Sequence, residues 1–527
     1  MLFFLTFGFY FAALLAVGIL HLARRPFSYA WLAAALGALL AWGSIFFWQL
    51  DLPVLALENP WLPSGLFAAW PVFLVDEIGW VYALALGALA LAVILTAPAQ
   101  ATGVSPSAWI GTLGLTALGM LAYVSANPLT LVLVWTGLDL LELVNTLRLA
   151  RQPDLSERAV ISFGIRAFGT GFALWAMATN GVALSSFGAL SPQSGLFFLL
   201  AVGLRLGVLP LHLTYRSEPA LRRGMGTVLR LAVASSSLVL LARLPVGLVP
   251  VGLAPFLQGL LALALIYGAW KWLAAPDELS ARPYWLIGLG SLSVLAALRG
   301  SPLGSAAWGL ALIVFGGLVF LYSARQRIFT LVLSGLGLGL LSLPFTLTAT
   351  AWLGAAPLDW LFWPFVVAGQ VLLLLGFVRH LWHKSESELA SLPRWAQTAY
   401  PLGLAVLVAA AVLPGLWGWP GALQVGLWPM ALAIGLISLL ALLVWWRIAR
   451  LSAAAQNGNA RRPAVLREGE SRLANWLESF AAVVWNGYRA LRRLVEFVSG
   501  LLEGDGGLLW TILVLVLLII WFRQVSF

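Results

Sequence analysis

Apolar runs of about 20 residues, the length that an α-helix needs to cross the core of a bilayer, recur along the whole sequence. Of the 527 residues, 61% are hydrophobic and only 9% are charged. A soluble protein could not bury so much apolar surface, so its solvent must be lipid. The pattern predicts an all-α, polytopic membrane protein with about 16 transmembrane helices. We place them near residues 2–23, 27–50, 73–97, 107–126, 128–149, 158–180, 194–215, 224–244, 249–274, 283–299, 304–323, 327–349, 357–380, 397–417, 425–449 and 508–523.

The composition also excludes several kinds of site. There is no cysteine, so disulfides, thiolate metal sites and iron–sulfur ligation are excluded. No connection between helices carries a phosphate-binding loop or a nucleotide fingerprint. We therefore expect no cofactor, metal, nucleotide or nucleic acid, and no catalytic or redox site. The first run lacks a basic leader and a cleavage motif, so we interpret it as a retained helix rather than a signal peptide.

Lysine and arginine residues concentrate in every second connection between the predicted helices. The basic connections are HLARRP, RLARQPDLSER, YRSEPALRRG, KWLAAPDELSAR, SARQR and VRHLWHK, followed by the segment after WWRIAR. Because such connections stay in the cytoplasm, we expect a multi-pass protein of a bacterial-type inner membrane with its amino terminus outside.

A segment of different character precedes the last apolar run. From Leu473 to Val495 apolar residues recur at helical spacing, and Arg489, Arg492 and Arg493 occupy other faces. This pattern is typical of an amphipathic helix that lies along a membrane surface or along neighbouring helices. We expect a cytoplasmic linker and this lateral helix over residues 451–505, and a terminal transmembrane helix over 506–527.

Two predicted helices contain a proline within their apolar run: Pro210 in the seventh and Pro344 in the twelfth. Proline removes a backbone hydrogen bond, and a break at membrane depth is tolerated only where protein or a cavity surrounds it. The interval of five spans indicates two repeats, and an odd number of helices inverts the second relative to the first. The expected segments are 1–100 (helices 1–3), 101–245 (helices 4–8), 246–380 (helices 9–13) and 381–450 (helices 14 and 15).

Charged residues inside the predicted helices are costly in a membrane and therefore need a partner or a function. They are Asp139 and Glu142, on one face of helix five with Asn145 and Arg148, then Arg166 on helix six, Arg205 on helix seven and Arg230 on helix eight; His212 follows Pro210. We expect Arg205 to lie beside one of the two carboxylates. Asp139, Glu142, Arg205, Arg230 and His212 are our candidates for proton translocation. The alternative is a set of structural salt bridges.

These motifs together resemble the antiporter-like membrane subunits of proton-pumping NADH:quinone oxidoreductase (complex I), Mrp-type cation/proton antiporters and membrane-bound hydrogenases. The similarity covers residues of about 70 to 380. The matching positions are Asn127, Leu129 and Trp135 around helix five, Arg205 before LPL, Arg230 at an interval of 25 residues, and Asp277 with Tyr284 at the start of helix ten. The resemblance implies two inverted five-helix repeats with broken helices 7 and 12, a lateral helix, and other membrane subunits and lipid as partners.

The sequence departs from the family pattern at the residues that matter for conduction. Thr136 stands where the family has a glutamate, and arginines stand where helices seven and eight have titratable residues. Arginine, unlike lysine, cannot lose its proton in a protein. In helix eleven Gly316 replaces the family lysine, and Thr346 and Thr348 are the polar candidates that remain after the second break.

The resemblance therefore predicts an antiporter-like, proton-channel-type subunit of a multisubunit respiratory or ion-pumping complex, with a degenerate second half-channel and reduced or altered proton translocation. One alternative is an ion-gradient-driven transporter of the same fold that moves inorganic carbon or exchanges Na⁺ for H⁺. Another is a scaffold that conducts nothing. Copurifying partners distinguish these functions.

Overall fold

A computed structural model describes residues 1–58, 69–100, 105–149, 153–180, 187–189, 191–213, 221, 223–247, 249–250, 252–343, 345–354, 358–383, 388–419 and 428–456, and, near the carboxyl terminus, 493, 496–497, 512–517 and 520. The predicted break residue Pro344 and nearly all of the predicted lateral helix lie outside the described residues. So does most of the terminal span. The prediction of about 16 helices is therefore not tested at its carboxyl-terminal end.

Fifteen α-helices span the described part of the chain up to residue 456. They are Leu2–Leu22 (α1), Phe27–Phe47 (α2), Glu77–Thr96 (α3), Pro106–Tyr123 (α4), Pro128–Leu149 (α5), Pro153–Asn180 (α6), Pro192–Leu206 (α7), Arg223–Leu241 (α8), Ala254–Ala274 (α9), Arg282–Leu298 (α10), Pro302–Leu321 (α11), Arg327–Leu336 (α12), Trp363–Leu381 (α13), Arg394–Leu416 (α14) and Trp428–Gln456 (α15). Among the described residues, ten helices are long and apolar enough to cross a membrane. The predicted polytopic, helical membrane fold is confirmed.

Two short strands, Val54–Glu58 (β1) and Val72–Val75 (β2), pair antiparallel between α2 and α3. The third helix, predicted from residue 73, begins only at Glu77, and β2 precedes it. Asp76 explains the difference, because its side chain accepts a hydrogen bond from the backbone N–H of Gly79 and so caps α3 at Glu77. The backbone of β2 also bonds the α4–α5 connection, where Leu74 N–H donates to the carbonyl of Val124.

The chain divides into two compact units, Met1–Gly435 and Leu436–Phe527. In the first unit, α4 and α9 open two sets of five helices with the same pattern of neighbours. In each set the first helix packs against the second and against the fifth, and the second helix packs against the third. This correspondence agrees with the two repeats expected from the proline interval.

Both helices that were expected to be broken end early. The α7 helix ends at Leu206, short of the predicted 215, and Gly207 takes a left-handed conformation with φ 73° that suits a residue without Cβ. The α12 helix ends at Leu336, short of the predicted 349. A 3₁₀ turn, Gly337–Leu341, follows it and leads to Ser342 with φ 59°.

Ion pairs hold the two ends of α8 to other parts of the first unit. Beyond its carboxyl end, Arg243 donates to Asp76 at 2.9 Å and to the carbonyls of Tyr123 and Ser125. These bonds fix the capping residue of α3 and the end of α4 to α8.

A buried cluster at the amino end of α8 connects the two five-helix sets. The carboxylate of Glu278, in the α9–α10 connection, accepts hydrogen bonds from Arg223 at 2.9 Å and Arg325 at 2.8 Å. Arg223 also donates to the carbonyl of Phe320 at 2.6 Å. Sequence reasoning singled out Asp277 instead, whose carboxylate accepts from the backbone N–H groups of its own turn. No helical periodicity marks Glu278, which lies in a connection.

Burial raises the pKa of the Glu278 carboxyl, but Arg223 and Arg325 outweigh burial and hold the pKa below its ordinary value of 4.5. A carboxyl whose pKa is depressed by folding stabilises the folded state above its unfolded pKa. That contribution is lost as the pH falls through the folded pKa.

We therefore expect Glu278→Gln to lower the free energy of unfolding by about 3–5 kcal/mol at pH 7, because it leaves two buried guanidiniums without their carboxylate. Below pH 4.5 the free energy of unfolding should fall less steeply with decreasing pH in the variant than in the wild type. Thermal unfolding of the purified protein between pH 3 and 8 measures both effects, with the exposed Glu388→Gln as control. Equal stability of the variant and the wild type at pH 7 would show that the cluster does not connect the two sets.

Candidate functional site

The inner face of α5 carries the two acidic residues predicted for the site. Asp139 and Glu142 are buried, at 2% exposure each, and Asn145 lies on the same face. Arg148, which the spacing placed with them, is exposed, so this part of the prediction is wrong. Thr136 is also exposed, and its hydroxyl bonds the carbonyl of Val132 in its own helix. The acidic position of this helix therefore lies one turn beyond Thr136, at Asp139.

Asp139 pairs with arginines of the next two helices. The guanidinium of Arg205 on α7 makes a two-pronged contact, with Nη1 at 2.6 Å from Oδ2 and Nη2 at 3.0 Å from Oδ1. Nε of Arg166 on α6 donates to Oδ1 at 3.2 Å. Such a two-pronged pair fixes orientation as well as distance.

Glu142, one turn along α5, continues the series of charges. Its Oε2 lies 2.7 Å from Nη2 of Arg166, and its Oε1 accepts a hydrogen bond from Nη1 of Arg230 on α8 at 3.0 Å. Arg166 therefore bridges both carboxylates. We call the series Arg205–Asp139–Arg166–Glu142–Arg230 the charge chain; positive and negative groups alternate along it across four helices.

Neutral groups fix the end of the charge chain at Arg205. Its Nε donates to Ser237 at 3.0 Å and its Nη1 to Thr170 at 2.9 Å. The guanidinium lies over the ring of Trp135, with 4.2 Å between Cζ and the ring centroid. The indole N–H of Trp135 donates in turn to the carbonyl of Ser236 at 3.0 Å. The tryptophan of the family motif thus orients the arginine by stacking.

A cavity of about 30 Å³ adjoins the charge chain. Its polar lining is Glu142, Arg166, Arg205 and Arg230, and its apolar lining includes Leu206 and Leu286. A space of this size holds one or two water-sized molecules. Leu286 belongs to α10, so the cavity lies where the two five-helix sets meet.

The break after α7 lies beside this site. The N–H of Val208 donates back to the carbonyl of Gly203 at 2.8 Å, which closes the helix end. The buried ring of His212 bonds the carbonyl of Pro210 through Nδ1 at 2.8 Å. A carbonyl can only accept, so Nδ1 carries the proton in this contact. Nε2 makes no hydrogen bond to any described residue.

The chemistry of the charge chain follows from its residue types. Arginine stays charged in any protein environment, so of its five residues only Asp139 and Glu142 can take up and release a proton. Moving a proton onto either carboxylate breaks the balance of the ion pairs around it, so proton uptake and rearrangement of the arginines are coupled.

The corresponding interior of the second set is filled by aromatic side chains. Trp272, Trp285 and Trp308 are at most 1% exposed, and the rings of Trp272 and Trp285 lie 4.9 Å apart. A Cβ at Gly316 would lie 2.7 Å from the indole nitrogen of Trp285. Real Cβ atoms do not approach other atoms so closely, so even an alanine there displaces the tryptophan. The position at which the resemblance implies a lysine has no room for one.

Several other polar groups of the second set hydrogen-bond to the backbone. Thr348 donates to the carbonyl of Gly339 and accepts from the N–H of Ser342 at 3.1 Å, which secures the end of the broken helix. Thr346 lies 3.3 Å from Thr348, hydroxyl to hydroxyl, and Gln370 donates to the carbonyl of Leu340 at 2.7 Å. His380 on α13 is buried, and its Nε2 lies 2.8 Å from the carbonyl of Trp272.

Comparison with known proteins shows similarity at the level of fold. No protein-family model and no curated protein matches the sequence. A chain of respiratory complex I from Thermus thermophilus with bound aureothin superposes with a TM-score of 0.56 at 20% identity, over 78% of this chain and 98% of that one. A chain of the membrane-bound sulfane sulfur reductase, an archaeal respiratory membrane complex, gives 0.60 at 13% identity, over 81% and 95%.

A chain of the Mrp complex from Dietzia sp. DQ12-45-1b gives a TM-score of 0.63 at 15% identity, over 99% of this chain and 63% of that one. All three similar chains come from membrane complexes. The fold of this protein is therefore the one that the sequence resemblance implies.

The packing of Trp285 against Gly316 yields a matched pair of substitutions. Gly316→Ala should lower the free energy of unfolding by about 1–3 kcal/mol, because the core there is already full. A Cβ at Gly335 of α12 meets nothing within 4 Å, so Gly335→Ala should raise stability slightly, by about 0.5–1 kcal/mol. Thermal unfolding of the two variants compares them directly. A Gly316→Ala variant as stable as Gly335→Ala would show that the second set has space for a longer side chain.

Proposed function

We propose that this protein is an antiporter-like membrane subunit of a multisubunit respiratory or ion-pumping complex, in which the first five-helix set loads protons and the second relays none. The observation that carries the proposal is the contrast between the two sets. The charge chain crosses the first set at buried positions, whereas Trp285 occupies the space beside Gly316 in the second set.

Proton loading in the first set rests on Glu142. It lines the cavity, and its Oε1 and Oε2 face different arginines. A water in the cavity can deliver a proton to this carboxylate, and Arg230 or Arg166 then loses its electrostatic partner. Asp139 is held by a two-pronged contact and by Arg166, so its role is to position both arginines.

The second set lacks the groups for a continuous relay within its described residues. Its buried hydroxyls bond backbone carbonyls or one another. Ser291 bonds the carbonyl of Ile287 at 2.7 Å and Thr350 bonds that of Leu303 at 3.2 Å, whereas Ser293 bonds the hydroxyl of Ser305 at 2.8 Å. None of these hydroxyls changes its charge, and the buried His380 is held to the backbone carbonyl of Trp272, so these groups do not drive a proton onward. Translocation through this subunit is therefore reduced relative to a subunit with both half-channels.

Three features support assembly into a larger complex of an inner membrane. The similar chains come from membrane complexes. Large apolar side chains such as Leu140, Val144 and Phe168 are exposed on the outer faces of α5 and α6, where lipid or a neighbouring subunit covers them. The tail sequence around Arg489 fits a lateral helix that reaches a neighbour, and the alternation of basic connections puts the amino terminus outside the cytoplasm.

The absence of cysteine makes this topology directly testable. A single cysteine at Arg25, in the exposed connection between α1 and α2, should react with a membrane-impermeant maleimide only after the cytoplasmic side is opened. A single cysteine at Asp51, exposed beyond α2, should react in intact cells. The reverse pattern would place the amino terminus in the cytoplasm.

Proton flux and complex yield on the same variants test the function. The complex is purified from its native membrane and reconstituted into vesicles. Glu142→Gln should lower proton translocation at least tenfold, since an amide cannot carry the proton, and Ser291→Ala in the second set should leave it unchanged. Arg205→Lys keeps the charge and should keep the complex assembled. Equal losses of flux in Glu142→Gln and Ser291→Ala would show that the second set conducts.

A structural brace is the second candidate, and the pairing of each carboxylate with two arginines favours it. In that case Asp139→Asn and Glu142→Gln lower the complex yield, by removing one partner of a buried pair at a cost of about 3–5 kcal/mol, and leave the flux per assembled complex unchanged. Purification with one soluble partner, and without other membrane subunits, would instead indicate a gradient-driven transporter.

A further inference from the structure

We propose that the cavity beside the charge chain is a binding site for one small monovalent anion of the size of chloride. The residues that line it include three arginines, Arg166, Arg205 and Arg230, and one acidic residue, Glu142. This site is independent of whether the second five-helix set conducts.

The charge of the lining residues favours an anion in the cavity. The charge chain contains three arginines and two carboxylates, all at most 6% exposed. Arginine cannot discharge by losing a proton. A buried guanidinium at membrane depth is costly, so it attracts an anion wherever one fits. The cavity is the space in which an anion contacts several guanidiniums at once.

The hydrogen-bond donors of the lining residues also favour an anion in the cavity. A guanidinium has five N–H groups. Arg166 donates two of them, to Asp139 and Ser162, and its Nη2 forms an ion pair with Glu142 at 2.7 Å, which leaves at least two. Nη2 of Arg205 donates one of its two N–H groups to Asp139, so its second N–H group is left over. Both side chains line the cavity, so an anion there meets charged donors that the described contacts do not use.

The size of the cavity and the chemistry of its walls determine which anions fit. About 30 Å³ accommodates one or two water-sized particles, which suits a monatomic anion and is too small for sulfate or gluconate. The remaining walls are aliphatic, from Leu206, Leu229 and Val233 among others. Apolar walls disfavour multiply charged or strongly hydrated ions. The site should therefore accept chloride and bromide and reject larger anions.

An anion in this position is coupled to the charge of Glu142. A neutral group at that position removes a negative charge from the lining, so it strengthens anion binding. By reciprocity, a bound anion favours the neutral form of Glu142. The anion would thus set how readily the first five-helix set accepts a proton.

To test this proposal, the complex is purified from its native membrane with a fluorescent tag on this chain. Samples are heated, and gel filtration then measures how much intact complex remains. At equal ionic strength the melting temperature should rise by about 2 °C or more in chloride or bromide over gluconate or sulfate, since a ligand that binds only the folded state stabilises it. Arg230→Gln should abolish the rise, and Glu142→Gln should produce it at a lower chloride concentration. The exposed Arg327→Gln is the matched control and should respond like the wild type.

Anomalous diffraction from the wild-type complex crystallised in bromide decides the site itself, even where a variant fails to assemble. A bromide peak between Arg166, Arg205 and Arg230 supports the proposal. Bromide at the protein surface only, or a melting temperature that is the same in chloride and gluconate, overturns it. An unaltered chloride response in Arg230→Gln also overturns it.

Discussion

The first half of this membrane protein depends on one constraint: a charge inside a lipid-solvated fold must be compensated by other charges or donors within reach. Five ionisable side chains meet that requirement by alternating in sign. Because these side chains come from α5, α6, α7 and α8, the ion pairs that compensate the charges also hold the four helices together. The positions of Trp135, Ser237 and Thr170 follow from it, because each fills a donor direction or a face of Arg205 that the carboxylates leave open.

Much of this arrangement could be predicted from the sequence, because it depends on short-range regularities. Hydropathy located the helices, and the three-residue spacing of Asp139 and Glu142 put both on one inner face. The pairing of Arg205 with one of them was expected and is found at Asp139. The spacing could not show that Arg148 points outward. Residues one turn apart share a face of the helix, but the sequence does not show at which turn that face leaves the protein interior. It also could not show that Arg166 bridges both carboxylates, which depends on how α6 crosses α5.

Contacts between distant parts of the chain were less accessible. Glu278 meets Arg223 and Arg325 only because the α9–α10 and α11–α12 connections converge at the amino end of α8. Asp76 starts α3 late and lets two strands form, although the apolar run is continuous through residue 73. In the second half the missing lysine was evident from Gly316. That Trp285 fills its place was not, because the two residues are 31 positions apart and no local pattern links them.

The packing of Trp285 on Gly316 also limits how the second half can be altered. A lysine cannot be introduced at position 316 while the tryptophan occupies its space, and replacing the tryptophan first opens a large hole in an apolar core. Either substitution alone therefore destabilises the fold. A titratable group at this position requires two coordinated substitutions, so a screen of single variants would not reach it.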